Sequence, residues 1–128
     1  MELGEKELAR IIRSYPGDFA LYRVEDGALR TLYASSGLPG YSGMESDEYS
    51  ELVRDDARAI ILKADLPHVA EGVRRATEEG LQELDDTYRV LHRTRGFVWV
   101  HARTRVIGSQ NGCPVLLKLN INLLRDIE

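Results

Sequence analysis

Residues 84–122 read LDDTYRVLHRTRGFVWVHARTRVIGSQNGCPVLLKLNIN, and the fold turns on them. Three runs rich in β-branched and aromatic residues, Leu84 to Thr94, Phe97 to Ile107 and Pro114 to Asn122, have the composition of strands. Arg95-Gly96 lies at the first junction and Gly108 to Cys113 at the second, where Asn111-Gly112 supplies the residues that a two-residue hairpin turn demands. The spacing predicts three consecutive antiparallel strands.

Immediately upstream the period changes. From Asp65 to about Glu79 a helix is expected, with Asp65 placed to accept from free backbone amides, Pro67 in the first turn and Gly80 at its end. At about 100° per residue, Leu66, Val69, Ala70, Val73, Ala76 and Thr77 share an arc of roughly 120° and face a core. Further back, Ala57 to Ala64 reads as one or two irregular helical turns, and a helix over about Asp47 to Arg54 has Ser46 as its N-cap. Leu38 and Tyr41 fall in a short helical turn or loop among Gly37, Gly40 and Gly43. Phe19 to Glu25 and Ala28 to Ser35 alternate with period two around Asp26-Gly27, which predicts a β-hairpin. Residues 3–15 form an amphipathic helix, since Leu8, Ile11, Ile12 and Tyr15 recur on one face, and Pro16-Gly17 stops it. Strands at both ends with helices between them predict one α+β domain, a five-stranded antiparallel sheet with helices packed on one face and an N-terminal amphipathic helix.

The chain's 128 residues, 43% apolar and 30% charged, have the make-up of a globular domain and not of a disordered one. Seventeen Lys and Arg against twenty-one Asp and Glu give a net charge of −4 and a pI near 5.4, without the basic excess that phosphate neutralisation needs, so nucleic acid is not an expected partner. A single cysteine forms no internal disulfide, no apolar run approaches the roughly 18 residues of a membrane span, and Met-Glu-Leu-Gly-Glu-Lys resembles no secretory signal. The chain is expected to be soluble and cytoplasmic, with no membrane insertion.

Several local motifs, in this order, resemble those of the PAS sensory domain. Tyr15-Pro16-Gly17 to Tyr22 is similar to the entry to the first strand in PAS domains that precede bacterial GGDEF and EAL signalling domains. Tyr33-Ala34-Ser35-Ser36-Gly37-Leu38, followed by Gly40-Tyr41-Ser42, resembles the passage from the second strand into small helices. Ala64-Asp65-Leu66-Pro67-His68-Val69 is similar to the opening of the long helix, with Lys63-Ala64 in place of the usual His-Pro. Tyr88-Arg89-Val90, Gly96-Phe97-Val98-Trp99-Val100 and Gly112-Cys113-Pro114-Val115 resemble the three closing strands. At the end, Asn120-Ile121-Asn122-Leu123-Leu124 departs from the Asp-Ile-Thr that often joins the domain to its output helix. The resemblance implies a PAS domain over residues 15–122, preceded by an N-terminal helix over 1–14 that caps or dimerises, with 123–128 as the start of a linker to an output domain. It also implies a noncatalytic sensory or interaction module from a bacterial signalling protein, regulating a diguanylate cyclase, a phosphodiesterase or a histidine kinase.

The chemistry-bearing residues form no catalytic or metal constellation in the sequence. His68 lies opposite the apolar arc of its helix and is expected to face solvent, where it cannot reach the internal haem that some members hold through a histidine on this helix. Nothing around Cys113, in a hairpin turn, resembles the cysteine-bearing helix of the flavin photosensor branch. Haem and covalent flavin are therefore not expected, and no cofactor can be named. His92 and His101 sit on adjacent strands without a carboxylate or cysteine at a metal spacing. Asp55-Asp56 and Asp85-Asp86 are candidate acid and base pairs, but neighbours in a strand point to opposite faces, so Asp85 and Asp86 do not share a site.

What remains is an interior. Leu38, Tyr41, Leu52, Ile60 and Ile61, with Val69, Val73 and Ala76 of the long helix, cover a curved sheet whose inner side reads as Tyr22, Leu32, Val90, Val100, Leu117 and Leu119. A one-residue change of register flips any strand of this assignment. The enclosed space is either filled by side chains or holds a small-molecule ligand. Phe97 and Trp99 fall on the opposite face, where with Leu8, Ile11 and Ile12 they make a candidate homodimer interface. Two other classes stay open: a small enzyme on a cone-shaped fold similar to ketosteroid isomerase, with Asp86, His92 or His101 directed into a pocket, and a constitutive dimerisation adaptor with a filled core.

Overall fold

In the computed structural model, α1 (Glu5–Ser14) precedes a hairpin of β1 (Phe19–Glu25) and β2 (Ala28–Ala34). Then come α2 (Leu38–Tyr41), α3 (Ser46–Val53), two 3-10 turns (Ala57–Ile60 and Lys63–Asp65), α4 (Leu66–Glu78), β3 (Leu84–His92), β4 (Gly96–Gln110) and β5 (Cys113–Leu124). The structure describes residues 1–124, with side chains through Asn120; of the expected linker 123–128, the first two residues end β5 and 125–128 lie outside the described residues. Both two-residue turns form where the chain carries residues that accept a left-handed backbone. Asp26 and Gly27 have φ of 51° and 85°, and Asn111 and Gly112 of 52° and 81°, the positive pair that matches strand twist in a tight hairpin.

The strands make one sheet in the order β2-β1-β5-β4-β3, every neighbouring pair antiparallel. The last strand inserts between the N-terminal hairpin and β4, so β5 is central. Directly paired residues share a face, and the pairs Tyr22 with Leu116, Lys118 with Thr104, and Tyr88 with Val100 define the inner one. There Ala20, Tyr22, Tyr88, Val90, Val100 and Leu116 pack with Leu38, Tyr49, Val53, Ile60 and Val69 from the intervening helices. On the outer face Phe19, Leu21 and Leu117 are buried against Leu8, Ile11, Ile12 and Tyr15. The central β5 is covered on both sides, with Leu116 buried inward and Leu117 outward.

That double burial corrects part of the expected inner face. Leu117 and Leu119 belong to the outer cluster beneath α1, and the inner row of β5 is Leu116, Lys118 and Asn120, one residue out of step with the expectation. Leu32 also packs outward, because β2 carries an extra residue there: Tyr22 pairs with Thr31 while Leu21 pairs with Tyr33. Leu52 is 39% exposed, since Tyr49 and Val53, four residues apart, form the buried stripe of α3.

The element boundaries also move for physical reasons. The first helix begins at Glu5, because Met1 to Leu3 run alongside β4: the Leu3 amide donates to the Ser109 carbonyl at 2.7 Å and the Ser109 amide to the Met1 carbonyl at 2.9 Å. Leu3 is wholly buried there. Gly108 permits this approach, as a Cβ at that position would stand 2.7 Å from the Met1 carbonyl oxygen. β4 thus runs on to Gln110, and Cys113 pairs with it as the first residue of β5, not as a turn residue. Ser46 is the first residue of α3 and Glu45 its N-cap, without a side-chain cap.

Candidate functional site

The α4 helix is fixed over the inner face by contacts at its start and its middle. Asp65 stands at the N-cap position but makes no cap bond; its carboxylate accepts instead from the Arg89 backbone at 2.8 Å and from the Arg89 guanidinium at 2.7 and 3.0 Å. The fork geometry of arginine makes this bidentate pair the stronger choice. On its other side the Arg89 guanidinium lies over the Trp99 ring, 4.7 Å from the centroid. In mid-helix, Gly72 lets α4 approach β3 so closely that a Cβ would stand 2.6 Å from Leu84.

Between α4, the 3-10 turns and the sheet lies a cavity of about 50 Å³, which holds roughly three to five waters or a molecule of a few heavy atoms. Its walls are mainly apolar, with Val69 and Val73 from α4, Ile60 and Ile61 from the turns, and Leu29, Val90 and Leu116 from the sheet. Its polar groups are Tyr22, Tyr88, Thr104, Asp86 and Lys118. Of the residues expected to line it, Tyr22, Val69, Val73 and Val90 do so. Leu38 and Val100 are buried in the same core, Tyr41 packs against that core, and Ala76 is buried on α4, all away from the cavity wall. Leu117 and Leu119 face the other way.

Lys118 is the residue that the sequence reading missed. Its Nζ lies 5.3 Å from the Tyr22 ring centroid and 5.9 Å from that of Tyr88, within the range at which a ring face attracts a cation. Among the described residues no carboxylate pairs with it. Burial works against the ammonium, and the tyrosines around it, Tyr22 foremost, outweigh that and hold its pKa above the ordinary lysine value, so it is charged at neutral pH. Burial pushes the Tyr49 and Tyr88 phenols up, and both stay neutral. Two residues along the same row, Asn120 Oδ1 is buried with no hydrogen-bond partner among the described residues. The available signal was that, of the two alternating rows in β5, one is wholly apolar and the other carries Lys118 and Asn120.

Asp86, on β3, also lines the cavity. Its side chain is only 10% exposed and pairs with the Nε2 of His68, which is 64% exposed on α4. The outward histidine is therefore accessible as expected, yet it is tied to a carboxylate that reaches inward. Asp85 faces away, to Arg103 at 3.1 Å and His101 at 3.3 Å, as strand alternation requires. His92 lies at the β3–β4 turn, accepting from the Thr94 and Arg95 amides at 3.2 Å, far along the strands from His101. Asp56 caps the first 3-10 turn through the Arg58 amide. Among the described residues no three histidine, cysteine or carboxylate side chains gather as a metal site, and no helix is long and apolar enough to cross a membrane.

On the outer face Leu8, Ile11 and Ile12 pack within the chain, over β1 and β5. Phe97 and Trp99 point to the same face but lie at the β3–β4 end, outside that cluster, and Phe97 is 43% exposed.

A family model described as PAS fold matches residues 31–119. A search of curated proteins finds no match. Among solved structures, the LOV protein of Rhodobacter sphaeroides is similar over 97% of this chain and 70% of its own, at 13% identity and a TM-score of 0.73. The N-terminal domain of a diguanylate cyclase with PAS/PAC sensor from Marinobacter aquaeolei is similar over 82% of this chain and 93% of its own, at 16% identity and a TM-score of 0.60. The LOV domain of a blue-light activated histidine kinase from Erythrobacter litoralis is similar over 84% of this chain and 95% of its own, at 13% identity and a TM-score of 0.59. At such identities the likeness is one of fold.

Proposed function

The chain belongs to the PAS fold family, and from that premise we propose that it is a noncatalytic sensory module that takes a small molecule into its internal cavity and passes the bound state to a signalling output. The observation that carries this reading is the 50 Å³ cavity with a charged Lys118 on its floor and no described carboxylate beside it. A filled interior, which a constitutive adaptor needs, would leave no such space. A ligand that prefers one arrangement of α4 and sheet shifts the population toward it. The output we assign is a diguanylate cyclase, a phosphodiesterase or a histidine kinase; similar folds in proteins named for two of these activities support it. The sensory body spans residues 15–122, and the helix over 1–14 serves as cap and contact.

We further assign homodimerisation to the outer face. Leu8, Ile11 and Ile12 remain half-buried after packing on the sheet, and Phe97 is exposed at the β3–β4 end beside Trp99, separate from them. Native mass spectrometry of the whole chain tests the assembly. A screen of molecules of few heavy atoms by methyl NMR tests the sensing. The expected result is a ligand that shifts Val69, Val73 and Val90 first and Leu8 and Ile11 through the sheet. A chain whose methyl spectrum answers to none of them favours the adaptor.

A further inference from the structure

We propose that the molecule taken into this cavity is a small monocarboxylate, its carboxylate on Lys118 and its short apolar tail against α4. The inference rests on the sensory reading and adds the ligand's chemical class. Three features select that class. Lys118 is a half-buried lysine on the inner face whose near neighbours are phenols, so it has charge to offer and no described counter-ion to give up. The rest of the lining is largely apolar, with Val69 and Val73 overhead and Leu116 beside the lysine on the floor, a surface that rewards a hydrocarbon tail and leaves a purely inorganic anion half-unsatisfied. The volume of about 50 Å³ admits a few heavy atoms, the size of acetate or propionate.

Asp86 sets the upper limit on charge. It lies on β3, two strands across from Lys118 on β5, with only β4 between them, a lateral separation of about 10 Å at the usual strand spacing. A second carboxylate on the ligand, directed away from the lysine, approaches Asp86 and is repelled by it. Tyr22 and Tyr88 supply hydroxyls at the carboxylate end, where a hydrogen bond from a phenol strengthens toward an anion. The neutral amide accepts from the ammonium through its carbonyl alone and brings no charge, so it is held more weakly.

Titration of the full chain with propionate, propionamide and succinate, followed by isothermal calorimetry and by methyl NMR of Val69, Val73 and Val90, tests this. Propionate is expected to bind at the cavity methyls, with propionamide and succinate weaker by at least about tenfold, the loss expected when a charge-assisted hydrogen bond goes. Lys118→Met keeps an unbranched side chain one atom shorter and removes its charge, and is expected to lower propionate affinity by a similar factor. If that variant does not fold, the comparison of propionate with propionamide on the unmodified chain decides alone. Equal binding of propionate and propionamide overturns the monocarboxylate and leaves the sensory cavity standing. Failure of both, together with failure of neutral molecules of the same size to move the cavity methyls, overturns the sensory reading as well.

Discussion

Leu116 and Leu117 are adjacent, equally buried and chemically identical, yet they face different layers, and truncating each to alanine separates those layers. Leu116 is 1% exposed and Leu117 0%. Each substitution removes three carbons, about 2.4 kcal/mol of transfer free energy at about 0.8 kcal/mol per buried methylene, and the residual void raises the cost to about 3 kcal/mol. With an unfolding entropy of about 2.1 cal/mol/K per residue, a chain of this length loses about 11 °C in Tm for either variant. Urea denaturation should therefore give matching shifts in midpoint at unchanged m. The voids, however, open in different places: beside the cavity for Leu116→Ala, beneath α1 for Leu117→Ala. An apolar void binds xenon, and the existing cavity already offers one beside Val69, Val73 and Val90. Relative to the parent chain, xenon should therefore move those methyl resonances further in the first variant and newly move those of Leu8, Ile11 and Ile12 in the second. Xenon shifts at Val69 and Val73 that exceed the parent's in the Leu117→Ala protein, without shifts at Leu8 and Ile11, would refute the register on which the site is built.

Gly72→Ala gains helix propensity of roughly 0.5–1 kcal/mol, while its Cβ would stand 2.6 Å from the flexible tip of Leu84 and drive that side chain into the cavity. A denaturation midpoint near that of the parent chain is expected alongside a several-fold loss of propionate affinity by calorimetry. Gly108→Ala meets backbone, the Met1 carbonyl at 2.7 Å, so the N-terminal segment must leave β4 at a cost of about 2 kcal/mol for its two hydrogen bonds; hydrogen exchange should lose protection at the Leu3 and Ser109 amides and keep it at Leu116. Hydrogen bonds from Arg89 outweigh burial and hold the Asp65 carboxyl below the usual aspartate range. Because its folded-state pKa is the lower one, its stabilisation is complete above about pH 4 and vanishes as pH falls through the lowered value. Asp65→Asn should therefore cost stability at pH 7 and cost less at pH 2, as read by urea midpoints at the two pH values.

The turns were legible in the sequence because they rest on local chemistry. Asp26-Gly27 and Asn111-Gly112 take the same positive φ whatever lies around them. The faces of β5 were not, because the row Val115, Leu117 and Leu119 is wholly apolar and a hydrophobic rule sends it inward. In the fold both sides of that strand are covered, by α1 on one and by α2 to α4 on the other, and hydrophobicity alone then carries no direction. β3 shows the contrast: as an edge strand it alternates cleanly, and Tyr88 and Val90 face inward as the pattern predicts. Asp65 illustrates a different failure. Its sequence position is that of an N-cap, but Arg89, 24 residues away, offers it a bidentate partner that no local rule can see.

A polar residue in the buried row of a central strand is destabilising unless something repays it. Here the tyrosines around Lys118, Tyr22 foremost, outweigh the desolvation of its ammonium and hold its pKa above the ordinary lysine value, so the folded state favours the cation at neutral pH. The ring faces of Tyr22 and Tyr88 contribute to that, on the order of 0.5–2 kcal/mol for a cation over an aromatic ring. An anion that enters the cavity adds the opposite charge that the described residues do not supply, so binding and stability are linked through Lys118 itself. Lys118→Met should then lower the stability of the unliganded chain and also abolish its stabilisation by propionate. A lysine serving only the fold would produce the first change without the second.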